Sequence, residues 1–314
     1  MDSAPVPNPI QTVAVLGAGT MGRGIAQSAA MAGLSVRLFD VSAEALREGH
    51  ASALAGIARF EAKGRLTPEA AENARERLGA VRDLAAALSG ADLAIEAVPE
   101  SLALKSDLYS RVEPLLKPGA LLASNTSSLP IGRLAASLTH PDRFVGLHFF
   151  NPVPLMKLLE IVVGPATTED AVSSCRALAV RLGKEAIVVK DSPGFATSRL
   201  GVALGLEAMR MLEEGVASAA DIDRAMELGY GHPMGPLKLT DLVGLDVRLA
   251  IATALAEELG PRFAPPALLK SKVSRGELGK KTGRGFYAWG PGGASEPDGA
   301  AGPGGSPSGA GGST

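Results

Sequence analysis

Few side chains in this chain of 314 residues are placed to move a proton. Of its four histidines, His50 lies in a polar helical stretch, His140 precedes Pro141 in a loop, and His232 sits in the turn Gly231-His232-Pro233. His148 differs, because it ends the apolar run from Phe144 to Leu147 and begins His148-Phe149-Phe150-Asn151-Pro152. Strand ends of this kind are where sites form in α/β sheets, and imidazole is suited to taking and returning a proton near neutral pH. Glu160 stands inside the apolar run Leu158-Leu159-Glu160-Ile161-Val162-Val163. A carboxylate in a buried strand is costly without a partner. His148 is the natural one, since the intervening loop can bring the two strand segments side by side. The pair would orient the imidazole and stabilise its protonated form. The competing reading is a histidine that only packs and a glutamate at a strand edge facing water.

A second constellation suits phosphate. The stretch VAVLGAGTMGRGIA holds Gly17-x-Gly19-x-x-Gly22, with Thr20 and Met21 opening the helix between the last two glycines. Gly17 permits a tight strand-to-helix turn, Gly19 lets a pyrophosphate approach the backbone, and Gly22 lets helix and strand pack closely. The helix N-terminus adds free N–H groups and partial positive charge. Alone the pattern is weak, and a Gly-rich turn in an Ala-rich chain would mimic it. Here it follows an apolar strand, opens a helix and is followed by Asp40 at the end of the next strand. Asp40 is expected to accept hydrogen bonds from the adenosine ribose and to repel a 2′-phosphate, which favours NAD over NADP. Arg37, three residues earlier, weakens that preference. Oxidation of an alcohol with such a cofactor needs a base for the hydroxyl proton, the role His148 offers.

The elements that must position these residues alternate. Strand, helix and strand over Thr12–Asp40 are followed by a helical hairpin over Ala43–Leu78, bent at the basic stretch Lys63-Gly64-Arg65. Further strands are expected at 93–98, 121–124, 144–149, 158–163 and 186–189, with helices at 102–116 and 169–182. The pattern predicts an α/β Rossmann domain, doubly wound around a mostly parallel sheet, over residues 1–190 with the hairpin as an insertion. From 191 to 289 helices dominate, predicting an all-α C-terminal domain. Residues 290–314 are Gly, Pro, Ser and Ala with little apolar bulk and are expected to be disordered.

Composition excludes several roles. The net charge of -2 gives no reason to expect nucleic acid. No apolar stretch of membrane-spanning length is present. Residues 1–10 do not resemble a signal peptide, and the lone cysteine, Cys175, rules out an intramolecular disulfide and a cysteine metal site. A cytoplasmic protein without a bound metal is expected.

The motifs VLGAGTMGRGIA, SNTSSL, HFFNPVPLMKLLEIV and GKKTGRGFY, with GHPMGPLKLTDLVGLD, together resemble the L-3-hydroxyacyl-CoA dehydrogenases, most closely the short bacterial 3-hydroxybutyryl-CoA type. The resemblance spans Val13 to about Trp289. It implies NAD as cofactor, a coenzyme A thioester as substrate, and a helical C-terminal domain that forms a homodimer. It makes His148 the catalytic base, Glu160 its orienting partner and Ser127 the donor to the reacting oxygen. Asn151 would sit by the nicotinamide and substrate, while Glu100, Lys105 and Lys281 would contact the cofactor. Lys63 and Arg65 would meet coenzyme A phosphates. One departure is Ser198, where the family often has Asn before Arg199; its hydroxyl keeps a donor and acceptor but is shorter. The expected reaction is reversible NAD-dependent oxidation of an (S)-3-hydroxyacyl-CoA. The alternatives are a dehydrogenase of a free hydroxy or sugar acid, of the gulonate type, and a redox-inactive NAD-binding relative.

Overall fold

Glycine-punctuated apolar runs become strands, and the stretches between them become helices. The computed structural model describes residues 10–290 and 292–295. In chain order the elements are β1 (Thr12–Leu16), α1 (Thr20–Met31), β2 (Ser35–Phe39), α2 (Ala43–Ala62), α3 (Pro68–Glu76), β3 (Leu78–Ala80) and α4 (Leu84–Leu88). They continue with β4 (Leu93–Glu96), α5 (Leu102–Val112), β5 (Leu121–Ser124), α6 (Ile131–Ala135), β6 (Phe144–Phe149), β7 (Leu158–Val163), α7 (Glu169–Arg181) and β8 (Glu185–Lys190). The strands form one sheet in the order β3-β2-β1-β4-β5-β6-β7-β8. Every neighbouring pair is parallel except β6 and β7, which are antiparallel. This is the doubly wound, mostly parallel sheet that the alternation predicts.

Both faces of the sheet are covered, which is why its central strands read as continuous apolar runs. Along β1, Val13 and Val15 join one core with Ile25, Ile57 and Cys175. Ala14 and Leu16 point the other way, into a core with Leu88, Tyr109 and Leu134. Both α2 and α3 start with side-chain caps. Ser42 accepts from the Ala45 N–H at 3.2 Å, and Thr67, with Pro68 behind it, accepts from the Ala70 N–H at 3.1 Å. The helical hairpin expected to run to Leu78 stops at Glu76, because Leu78–Ala80 pairs with β2 as an edge strand. Its sequence, Leu-Gly-Ala, carries no strand signal of its own.

The chain divides into two compact units between Phe195 and Ala196, a few residues past the step expected at 190/191. The second unit is built of α8 (Thr197–Glu213), α9 (Ala219–Gly229), α10 (Pro236–Val243), α11 (Leu245–Leu259) and α12 (Ala267–Ser274). Its core gathers Val202, Leu206, Ile222, Leu237, Leu255 and Phe286. Two buried aspartates fasten it. Asp223 accepts from the Leu237 N–H at 2.8 Å and the Tyr287 hydroxyl at 2.8 Å. Asp241 accepts from the N–H groups of Phe286 and Tyr287 and from the Trp289 indole, at 2.8–2.9 Å. Burial pushes both carboxyls above their usual range, although the hydrogen bonds oppose it.

The structureless tail expected from 290 needs correction at its start. β9 (Ala288–Gly290) and β10 (Gly293–Ser295) pair as an antiparallel ladder. The Asp241 clamp on Trp289 fixes the first of these strands, so anchoring replaces the missing apolar bulk. The remainder of that tail lies outside the described residues.

Candidate active site

Parallel strands that start at one edge of the sheet end at the other. The C-terminal ends of β1, β2, β4, β5 and β6 therefore carry Gly17, Asp40, the segment after Glu96, the loop 125–128 and His148 along a single edge. Strand order reverses between β1 and β4, and the crevice at such a reversal is where ligands bind in open α/β sheets.

At that reversal Gly17 has φ 106°, and a Cβ there would lie 2.6 Å from the Ala97 carbonyl oxygen. Gly22 packs so tightly that a Cβ would meet the Gly17 oxygen at 1.7 Å, whereas nothing lies within 4 Å of a Cβ on Gly19. Gly17 and Gly22 are thus needed by the fold, and Gly19 leaves the approach to the helix clear. The N-terminus of α1 has no side-chain cap and no acidic residue in its first turn. Thr20 is exposed there, and Met21 is half-buried against the core. Asp40 accepts from the Ala18 N–H through Oδ2 at 2.8 Å and from the Ser42 N–H through Oδ1 at 2.9 Å. These bonds hold a carboxylate beside the glycine turn. An uncapped helix start, an open glycine and an adjacent carboxylate fit a dinucleotide: phosphate to the N–H groups, ribose to the acid. Arg37 is elsewhere, donating to the carbonyls of Ala86, at 3.2 Å, and Ser89 at the end of α4.

The end of β4 and the segment after it carry a polar network that no motif in the sequence announces. Glu96, itself inside an apolar strand, is fully buried with Lys105 and Tyr109. Lys105 Nζ lies 3.0 Å from Glu96 Oε1 and 2.9 Å from Glu100 Oε2. Tyr109 and Ser124 donate their hydroxyls to Glu96 Oε2 at 2.6 and 2.7 Å. Glu100 Oε1 accepts from the Thr126 hydroxyl at 2.6 Å, from the N–H groups of Ser127 and Ser128 at 3.1 and 3.2 Å, and from the Ser128 hydroxyl at 3.0 Å. Burial alone would raise the Glu100 pKa, but Lys105 and these donors hold it below the usual value. Glu100 thereby shapes the loop bearing half-buried Ser127, whose hydroxyl has no hydrogen-bond partner among the described residues. Lys105, expected at the cofactor surface, has none of its surface open to solvent. Its charge is spent between two carboxylates, so any influence at the site passes through Glu100. The signal that singled out Glu160, an acid within an apolar strand, was present in Leu93-Ala94-Ile95-Glu96 too.

His148 and Glu160 face each other because β6 and β7 run antiparallel in a register that pairs these two residues. The His148 Nδ1–Glu160 Oε2 distance is 2.6 Å, Glu160 is fully buried, and His148 is 7 % exposed. The ring packs against Phe150 and Phe195, with centroids 4.4 and 5.8 Å away. Asn125 Oδ1 accepts from the Phe149 N–H at 2.9 Å, tying the Ser127 loop to the end of β6. Of the other histidines, His50 has its Nε2 on the Leu78 carbonyl at 2.9 Å, within the fold of the hairpin. Asn151 is exposed at the start of the loop that follows.

That loop meets the basic bend of the hairpin. Pro152, Pro154 and Leu155 line a cleft of about 240 Å³ opposite Arg59, Phe60, Lys63 and Arg65. Lys63 and Arg65 are therefore brought to the segment following His148, and Arg59, one helical turn before Lys63, joins them. Ser198 and Lys281 belong to the second unit. Ser198 is half-buried in the first turn of α8. Lys281 Nζ lies 2.6 Å from both carboxylate oxygens of Asp246.

Residues 12–192 match the family model described as 3-hydroxyacyl-CoA dehydrogenase, NAD binding domain, and residues 194–289 match that of the C-terminal domain. The chain is 43 % identical to a 3-hydroxybutyryl-CoA dehydrogenase of Bradyrhizobium diazoefficiens, over 88 % of this chain and 95 % of that one. It is also 43 % identical to a 3-hydroxyadipyl-CoA dehydrogenase of Escherichia coli, over 89 % of this chain and 59 % of that one. The crystal structure of an (S)-3-hydroxybutyryl-CoA dehydrogenase of Ralstonia eutropha superposes with a TM-score of 0.86 at 40 % identity, covering 90 % of this chain and 99 % of the other. With its NAD-binding unit and its helical unit both matched, the chain belongs to the 3-hydroxyacyl-CoA dehydrogenase family.

Proposed function

We propose that this protein catalyses the reversible oxidation of an (S)-3-hydroxyacyl-CoA, 3-hydroxybutyryl-CoA foremost, to the 3-oxoacyl-CoA, with NAD as the hydride acceptor. The observation that carries the reading is the His148–Glu160 pair at 2.6 Å, at the end of the sheet that also bears the glycine turn. Because Nδ1 is held by the carboxylate, Nε2 is the atom left to take the 3-hydroxyl proton. As that proton arrives the imidazole becomes cationic, and Glu160 offsets the charge without changing position. The Ser127 hydroxyl, carried on the loop that Glu100 shapes, donates to the same substrate oxygen. NAD, held at the glycine turn and Asp40, would supply the acceptor for the hydride from C3. In the reverse direction His148 returns the proton from Nε2. Asp40 takes the adenosine ribose, Asn151 stands by the nicotinamide and substrate, and Lys63 and Arg65, with Arg59, take phosphates of coenzyme A. Ser198 keeps a hydroxyl for the substrate, and Lys281 serves the cofactor.

The reading extends to assembly and location. We take the protein to be a homodimer formed through its second unit, on which Leu200, Leu228 and Tyr230 are 70 %, 73 % and 79 % exposed. Sedimentation velocity would give twice the chain mass, and a monomer at micromolar concentration would refute it. No helix among the described residues is long and apolar enough to cross a membrane, and a cytoplasmic location is part of the same reading.

The deciding experiment is NADH oxidation with acetoacetyl-CoA, longer 3-oxoacyl-CoA thioesters and free acetoacetate. Turnover of thioesters and not of the free acid is expected. Preference for a free acid would point to a hydroxy-acid dehydrogenase, and NAD binding without turnover to a redox-inactive relative. Because the similar proteins include one named for 3-hydroxyadipyl-CoA, the thioester series should include a 3-oxodicarboxylyl chain.

A further inference from the structure

Lys184 is a buried cation that the chemistry above does not use. It follows α7 and precedes β8, and is 8 % exposed. Its Nζ donates to the carbonyls of Val153 and Met156, both at 2.7 Å. It also sits 5.8 Å from the centroid of the Phe149 ring, next in sequence to His148. Among the described residues no carboxylate pairs with it. Burial pulls its pKa below the ordinary lysine value. An ammonium desolvated without a counter-ion is costly, and here its bonds go to the loop joining β6 to β7.

That loop has an inner and an outer side. Inside, Val153 packs on α1 so closely that a Cβ on Gly24 would lie 3.0 Å from the Val153 Cβ. Within the loop, the N–H groups of Leu155 and Met156 bond the Pro152 carbonyl at 2.9 and 3.1 Å. Outside, Pro152, Pro154 and Leu155 form one wall of the cleft whose other wall is Arg59, Phe60, Lys63 and Arg65. Leu155 is 52 % exposed, an apolar side chain held out at this wall. Lys184 fastens the backbone on both sides of Leu155, at Val153 and at Met156.

We propose that Lys184 is a positioning residue for thioester binding: by clamping the carbonyls of Val153 and Met156 it sets the wall of the coenzyme A cleft. It touches neither the substrate nor the cofactor, and its effect falls on thioester affinity. The inference rests on the assignment of that cleft to coenzyme A.

The test compares wild-type enzyme with Lys184→Met, which keeps an unbranched chain one atom shorter and removes the charge, in NADH oxidation with acetoacetyl-CoA. KM for acetoacetyl-CoA is expected to rise about tenfold, equivalent to about 1.4 kcal/mol. KM for NADH and kcat should stay within about twofold, the pattern of lost uniform binding. In Lys184→Ala, added n-propylammonium, which replaces the missing atoms and charge, should lower that KM again, and n-propanol should not. The proposal fails if KM for acetoacetyl-CoA does not move, if KM for NADH and kcat change in proportion, or if propylammonium gives no rescue. It also fails if the variants fold only with propylammonium present, which would assign Lys184 to the fold. Should wild-type enzyme turn over no thioester, the functional reading fails instead, and the two failures are distinguishable.

Discussion

If Glu160 acts through His148, the two residues cannot contribute independently to the rate. Their bond is 2.6 Å long, Glu160 is fully buried and His148 is 7 % exposed, so water screens it weakly. A hydrogen bond to a charged group contributes about 1.5–3 kcal/mol. Glu160→Gln keeps the shape and one oxygen but removes the charge, so the loss falls on the state in which His148 carries the extra proton. At about 1.36 kcal/mol per tenfold in rate, kcat should fall roughly 10- to 150-fold. His148→Gln removes the base itself and should lose roughly 10²–10⁴-fold. The double variant should then be no slower than His148→Gln, because the carboxylate has no imidazolium left to stabilise. The assay is NADH oxidation at saturating acetoacetyl-CoA for the four proteins, each with its thermal melt, since removing one member of a buried pair also tests the fold. Losses that multiply in the double variant would refute the argument, as would a Glu160→Gln enzyme within twofold of wild type.

Two further predictions concern cofactor choice and acid stability. Asp40→Asn should lower kcat/KM for NADH about tenfold and narrow the preference over NADPH. Arg37→Leu should leave that preference alone, because its guanidinium is spent on the Ala86 and Ser89 carbonyls. An unchanged NADH:NADPH ratio in the first variant, or loss of NADPH use in the second, would overturn the assignment. In the second unit, hydrogen bonds from Arg275 and Lys272 pull the Glu277 carboxyl from 4.5 to about 2, against desolvation. A folded pKa below the unfolded one lends stability above about 4.5 that is lost as pH falls toward about 2. Glu277→Gln should thus lower Tm at pH 7 by about 2–4 °C, a shift matching roughly 1 kcal/mol for a partly exposed pair. Wild-type and variant melts should converge across the acid interval, and a gap that persists at its bottom would contradict the linkage.

What the sequence reveals depends on how local the cause is. The turn at Gly17 and the end of β2 at Asp40 are set by neighbours within a few residues, and both were readable. The His148–Glu160 pair was readable for another reason: a carboxylate in an apolar strand demands a partner, and few partners were on offer. Glu96 made the same demand, but its answer was split between Lys105 and Tyr109, one turn apart on α5, and Ser124 on β5, and no spacing rule joins those elements to Glu96. Arg37 illustrates the converse. Its place beside Asp40 in sequence suggested a role at the cofactor, whereas strand alternation turns it toward the end of α4. The short helices α10 and α12, of 8 residues each, carry too few turns for periodicity to delimit them within the helical stretch 191–289. The cleft was invisible because it depends on residues some ninety positions apart meeting across the fold.

The one antiparallel pairing of the large sheet, β6 with β7, explains why these parts come together. In a parallel strand, reaching the site edge would require a crossover helix. β7 instead returns directly from that edge, so one loop brings Glu160 opposite His148. The same loop, residues 150–157, walls the cleft against Arg59, Lys63 and Arg65. Register and cleft are therefore coupled through a single stretch of backbone. A slip of one residue in β7 would set Leu159 or Ile161 opposite His148 and turn the carboxylate to the other face. A two-residue deletion that reset the register at the loop's expense would keep Glu160 on its face but draw Pro154 and Leu155 away from the hairpin. Geometry more than residue type is what this stretch must keep: the loop's length serves the proton transfer, while its fastening by Lys184 and Val153 serves the thioester.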